Sequence, residues 1–176
     1  MEAFIYGGSG SGKSELAEEL AHRLSRGGPL VYLATMEPMG EDARRRIARH
    51  RQLREGRGFV TLEQPAALDR RQLPEDCTLL LECLGTWVAN EIFSPQGAGS
   101  THAPAAVDWG LGALRRQTRH LVVVGNDLGA DGIRYSPETR AYQALLGEVS
   151  RRLAARSQLV AEVVCGIPIL LKGELP

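Results

Sequence analysis

Gly7-Gly8-Ser9-Gly10-Ser11-Gly12-Lys13-Ser14 gathers, within eight residues, the groups needed to hold a chain of phosphates. The spacing is G-x-x-x-x-G-K-[ST]. Glycines let backbone N–H groups converge on phosphate oxygens, Lys13 is of a length to reach the β/γ-phosphates, and the Ser14 hydroxyl can ligate Mg²⁺. Ala3-Phe4-Ile5-Tyr6 before the loop reads as a buried strand, and Leu16, Ala17, Leu20, Ala21 and Leu24 after it form an apolar stripe at helical spacing. The glycines therefore fall on a strand-to-helix turn, where the helix N-terminus favours anions. A Gly/Ser turn that binds nothing is the competing reading, and the flanking patterns argue against it. The expectation is a nucleoside triphosphate site.

A second cluster is Arg44-Arg45-Arg46-Ile47-Ala48-Arg49-His50-Arg51-Gln52-Leu53-Arg54. On a helix, Arg46, His50 and Arg54 share one face. Neighbouring guanidinium charges disfavour the imidazolium and favour the neutral, nucleophilic ring. Such arginines can clamp a triphosphate while an imidazole nitrogen attacks its α-phosphorus. From spacing alone, a solvated basic face, a satisfied helix histidine or a nucleic-acid patch remain open.

These groups need a scaffold. Continuous apolar runs at Leu30–Ala34, Thr78–Leu81, Leu121–Val124 and Leu159–Val164 suit strands covered on both faces, with a shorter one at Phe59–Leu62. Helical patterns fall at about 14–26, 40–55, 108–118 and 137–156. In the last, Ser136 caps, Pro137 is at the first position, and Leu145, Val149 and Leu153 follow at intervals of four. Ile167–Lys172 reads as a final antiparallel hairpin strand, and Ser94–Ala106 as a loop, either a connector or a lid or subunit contact. The reading is one α/β domain over residues 1–176, P-loop NTPase-like, with a mainly parallel sheet flanked by helices. Ligands in such sheets gather beyond the carboxyl ends of the strands. There Glu82 can serve Mg²⁺, and Asn126, Asp127 and Thr35 can touch nucleotide or acceptor, although a capping or turn role suits each of them too.

Composition excludes several classes. The 176 residues are 43% hydrophobic and 24% charged, with 21 Lys+Arg against 21 Asp+Glu. That balance gives no global field for nucleic acid or an anionic membrane, and 5% aromatics leave few stacking platforms. No apolar run is of bilayer length, and the strand and loop at the start leave no room for a signal peptide. Cys77, Cys83 and Cys165 have no C-x-x-C spacing and read as reduced, buried thiols of a cytoplasmic protein.

Taken together, the motifs resemble the bifunctional adenosylcobinamide kinase/adenosylcobinamide-phosphate guanylyltransferases of cobalamin biosynthesis. The resemblance runs from the Gly7–Ser14 loop to Lys172. It rests on that loop, Tyr32-Leu33-Ala34-Thr35, the Arg46-Ile47-x-x-His50-x-x-x-Arg54 block, and Glu63 in Val60-Thr61-Leu62-Glu63. It continues in Leu80-Leu81-Glu82-Cys83-Leu84-x-x-Trp87-Val88-x-Asn90 and the Asn126-Asp127-x-Gly129 turn. It implies phosphorylation of adenosylcobinamide by ATP or GTP. It also implies transfer of GMP from GTP, through a guanylylated histidine, to adenosylcobinamide phosphate. The histidine falls on His50. Nucleotide contacts fall on Gly7, Gly8, Ser9, Gly10, Ser11, Gly12, Lys13, Ser14, Leu33, Ala34, Thr35, Arg51, Gln52, Leu53, Arg54, Glu63 and Glu82, with Ser14 and Glu82 at Mg²⁺. A homotrimer is implied as well. The chain departs from the family at Asp127, usually Glu, at Tyr142-Gln143-Ala144, usually Phe-Arg-Asp, and at Ser150-Arg151, usually Asn-Gln. These departures bear on acceptor handling, subunit contacts or the kinase half more than on GTP use. A guanylyltransferase without kinase activity, or a non-catalytic nucleotide-binding regulator, is the alternative.

Overall fold

The computed structural model describes residues 1–37, 40, 41, 45, 47, 48, 52, 56–128, 133 and 135–176. The apolar runs form strands β1 (Glu2–Gly7), β2 (Leu30–Ala34), β3 (Val60–Glu63), β4 (Cys77–Glu82), β5 (Thr118–Asn126), β6 (Leu159–Val164) and β7 (Ile167–Lys172). They make one sheet in the order β3-β2-β4-β5-β1-β6-β7. All pairings are parallel except the β6–β7 hairpin. The mainly parallel α/β architecture expected from the sequence is the one observed.

Helices α1 (Lys13–Ser25), α2 (Leu84–Phe93), α3 (Ala103–Gln117) and α4 (Pro137–Arg156) pack on the sheet. Helix α1 lays Ala17, Leu20, Ala21 and Leu24 on one face of the sheet, against Ile5, Leu80, Val122 and Val124. On the other face α2, α3 and α4 bring Trp87, Leu111, Leu114, Leu146, Val149 and Leu153 onto Phe4, Leu33, Leu79, Leu81 and Val123. The central strands are thus covered on both sides, which is why their sequences run apolar without alternation.

Three expectations needed correction. Helix α2 is not among the helical patterns read from the sequence. It buries Leu84, Gly85, Trp87, Val88 and Glu91, and its N-cap is the Cys83 thiol, which accepts from Thr86 N. Its buried residues lie on one face, but Ala89, Ile92 and Phe93 elsewhere on this short helix are apolar too, which blurs the polar–apolar contrast. Helix α3 begins at Ala103 rather than near 108, with Pro104 in its first turn. Ser94–Ala106 is therefore a loop only in its first part, and the carboxylate of Glu91, 1% exposed, organises it by accepting from Trp87 Nε1, Ala67 N and Ala98 N. A buried carboxylate is tolerable when neighbouring donors satisfy it, as here. Finally, Cys77 is buried but Cys165 is exposed, in the turn between β6 and β7. At α4 the expected cap is present: Ser136 Oγ accepts from Thr139 N, and Pro137 opens the helix.

Candidate active site

Residues Gly8–Gly12 turn from the carboxyl end of β1 into α1, so the first N–H groups of α1 point into the loop they close. Gly12, at φ 92°, occupies the left-handed region as the N-cap. At Gly7 the requirement is space: a Cβ there would meet Val163 O at 2.5 Å and Ser11 Oγ at 2.9 Å. Gly166 N donates to Ser11 O at 2.8 Å, so the β6–β7 turn props the loop from behind. Lys13, 8% exposed, donates from Nζ to Gly8 O at 2.9 Å, and arriving phosphate oxygens must take this ammonium from the carbonyl. Ser11 Oγ is buried without a hydrogen-bond partner among the described residues, an unspent polar group inside the cradle.

The strand register assembles the acidic side. Ala34 pairs with Glu63 on one side and Glu82 on the other, so three residues far apart in sequence form one row across β3, β2 and β4. Ser14 Oγ donates to Glu82 Oε1 at 2.8 Å, joining this row to the start of α1. A hydroxyl and a carboxylate in contact are hard oxygen donors, the set a divalent cation takes. The residues present therefore fit a metal-bound nucleotide.

Behind the row lies a brace that the sequence does not reveal. Thr35 is fully buried; its N donates to Glu82 O at 3.0 Å and its Oγ1 accepts from Cys83 N at 3.0 Å. Asn90 Nδ2 donates to Thr35 O at 2.7 Å and to Pro65 O at 3.0 Å, tying α2 to the chain just past β2 and β3. Leu33 is buried in the core, so neither Leu33 nor Thr35 has a side chain free to meet a ligand. Burial pushes the Cys83 thiol up, with Thr86 hydrogen bonds opposing it, which keeps it protonated and unfit as a nucleophile. Tyr142 donates to Gly85 O at 3.2 Å, and burial pushes its hydroxyl up to about 12.

His50, Arg51, Leu53 and Arg54 lie outside the described residues, as does Arg46; Gln52 is described, helical and exposed. The ends of this stretch are pinned. Ser94 Oγ donates to Glu37 Oε1 at 2.6 Å on the way in, and Arg57 pairs with the buried Glu18 of α1 at 2.8 Å on the way out. Sequence reading missed both anchors, because each joins residues far apart in the chain.

The sheet, the loop and the Ser14–Glu82 pair define a P-loop nucleotide-binding protein of the α/β class. The chain belongs to the cobinamide kinase/cobinamide phosphate guanyltransferase family, whose model matches residues 3–171. It is 32% identical over 177 residues to the bifunctional adenosylcobalamin biosynthesis protein CobP of Pseudomonas aeruginosa, covering 99% of each chain. To the bifunctional adenosylcobalamin biosynthesis protein CobU of Escherichia coli it is 29% identical over 185 residues, covering 98% of this chain and 100% of the relative. Among solved structures, the flagellar accessory protein FlaH of Methanocaldococcus jannaschii aligns at 12% identity and TM-score 0.48, over 98% of this chain and 78% of that one. That distant likeness carries no argument. Among the described residues, no helix is long and apolar enough to cross a membrane.

Proposed function

We propose that the chain is a cytoplasmic bifunctional enzyme that phosphorylates adenosylcobinamide and then transfers GMP to the product. The observation that carries this reading is the family match over residues 3–171 on a chain whose phosphate-loop hydroxyl, Ser14, rests on the Glu82 carboxylate. In the kinase step the acceptor hydroxyl oxygen bonds to the γ-phosphorus of ATP or GTP. The bond from that phosphorus to the β–γ bridging oxygen breaks, and a nucleoside diphosphate leaves. In the transferase step a neutral His50 nitrogen bonds to the α-phosphorus of GTP and pyrophosphate leaves. An oxygen of the cobinamide phosphate then displaces histidine, giving adenosylcobinamide-GDP.

Gly7–Ser14 cradle the phosphates, and Lys13 neutralises their charge. Arg51, Gln52, Leu53, Arg54 and the row Ala34, Glu63, Glu82 complete the nucleotide contacts, with Leu33 and Thr35 contributing backbone and support. Ser14 and Glu82 would hold Mg²⁺, which when bound screens the triphosphate charge. The same family resemblance supports assembly as a homotrimer. Incubation with GTP radiolabelled at the α-phosphate tests the central step. The expected result is acid-labile, base-stable label on the protein that chases onto cobinamide phosphate; a protein that stays unlabelled defeats the proposal.

A further inference from the structure

On the α4 side of the sheet, next to the phosphate loop, lies a cleft of about 300 Å³. Its floor is Phe4 and Tyr6 of β1, with stacked rings 5.7 Å apart, and Leu146 and Gly147 of α4 form a wall. Asn126, Asp127 and Leu128 form its mouth, directly after β5. That mouth abuts the loop: Gly7 is the register partner of Asn126, and Asp127 N donates to Gly7 O at 3.2 Å. Asp127 is the only carboxylate among the described lining residues, and the one lining cation, Arg151, is paired with Glu148 on the same helix; nearby Glu162 takes the Tyr6 hydroxyl at 3.5 Å.

A triphosphate is repelled by a carboxylate, whereas a neutral alcohol is a donor to it. Apolar walls suit a short alkyl arm, and the volume is on the order of ten water molecules, enough for an arm and too small for a macrocycle. We infer that this cleft takes the hydroxyl-bearing aminopropanol arm of the corrinoid acceptor, and that Asp127 receives the hydroxyl proton. The inference rests on the kinase reading above. As the oxygen bonds to the γ-phosphorus, its proton passes to the Asp127 carboxylate and the nucleoside diphosphate departs. Gln143, Ser150 and Arg151, three of the positions where the chain departs from its family, line the same cleft.

Gly147 provides the test. It is exposed on α4, and a Cβ there meets nothing within 4 Å, so the backbone accepts a side chain and Gly147→Leu narrows the cleft at a helix position that prefers Leu. Binding of adenosylcobinamide is read by equilibrium dialysis, which judges the cleft even in a chain that transfers no phosphate. Gly147→Leu is expected to weaken binding at least about tenfold, with the melting temperature and labelling by GTP as controls on folding. Asp127→Asn is expected to bind corrinoid normally and phosphorylate it at least about 100-fold more slowly. Equal corrinoid affinity in Gly147→Leu overturns the cleft assignment, including the case where only the oligomeric state changes and the cleft proves a subunit contact. Full phosphorylation by Asp127→Asn overturns the assignment of the base. An unsubstituted chain that binds no corrinoid overturns both the cleft and the kinase reading, whereas one that binds without phosphorylating sinks the kinase reading and the base assignment with it, and leaves the cleft.

Discussion

Ser14 Oγ lies 2.8 Å from Glu82 Oε1, which joins the first turn of α1 to the last residue of β4. Sixty-eight positions separate them in sequence. The hydroxyl oxygen and the carboxylate that would share a metal are thus already within reach of each other. Glu82→Gln keeps the shape and removes the charge. Its expected effect is a higher Mg²⁺ requirement for both reactions, with the melting temperature little changed. An unaltered Mg²⁺ titration would make Glu82 a structural residue only.

Lys13→Ala removes the one ammonium held against the loop carbonyl of Gly8. Charge stabilisation in a water-poor cradle is worth more than in solvent, so turnover of both reactions is expected to fall by at least about 100-fold. Steady-state rates with ATP and GTP check this, and unchanged affinity and turnover would refute it.

His50→Ala should lose the protein-bound label from GTP while retaining phosphorylation of cobinamide. His50→Asn should behave the same way, since an amide is no nucleophile here. His22, His102 and His120 stand outside the arginine block, and their alanine variants should label normally. Label on the His50→Ala protein would place the nucleophile elsewhere.

Asn90→Ala leaves the carbonyls of Thr35 and Pro65 without their donor. Two lost, partly buried hydrogen bonds should lower stability by about 1–3 kcal/mol. Because the brace sets the ends of β2 and β3, KM for GTP should also rise, more than a purely global destabilisation produces at temperatures well below melting. Denaturant unfolding and GTP kinetics on the same protein separate the two effects.

Local patterns carried most of the fold. Strands such as Leu79–Leu81 and Leu121–Val124 are buried on both faces, and each advertises this within a few residues. The loop at Gly7–Ser14 is legible for the same reason, since its chemistry is contiguous. Helix α2 was not legible, because apolar Ala89, Ile92 and Phe93 off its buried face blur the stripe and a thiol replaces the usual cap. The brace of Thr35, Cys83 and Asn90 is a matter of register and crossing, which no local window contains. Glu63, Ala34 and Glu82 likewise meet only through strand order, and before the structure family resemblance alone grouped them.

The support of the phosphate loop by the β6–β7 turn bears on how the enzyme is made. The loop leaves the ribosome before β5, β6 and the backbone it rests on, at Val163 and Gly166. Strand β1 likewise waits for both of its neighbours, β5 and β6. A nascent chain therefore carries the whole phosphate-loop motif long before it has a finished cradle. Nucleotide capture becomes a late event of biosynthesis, and interrupted chains, motif intact, are poor competitors for cellular GTP.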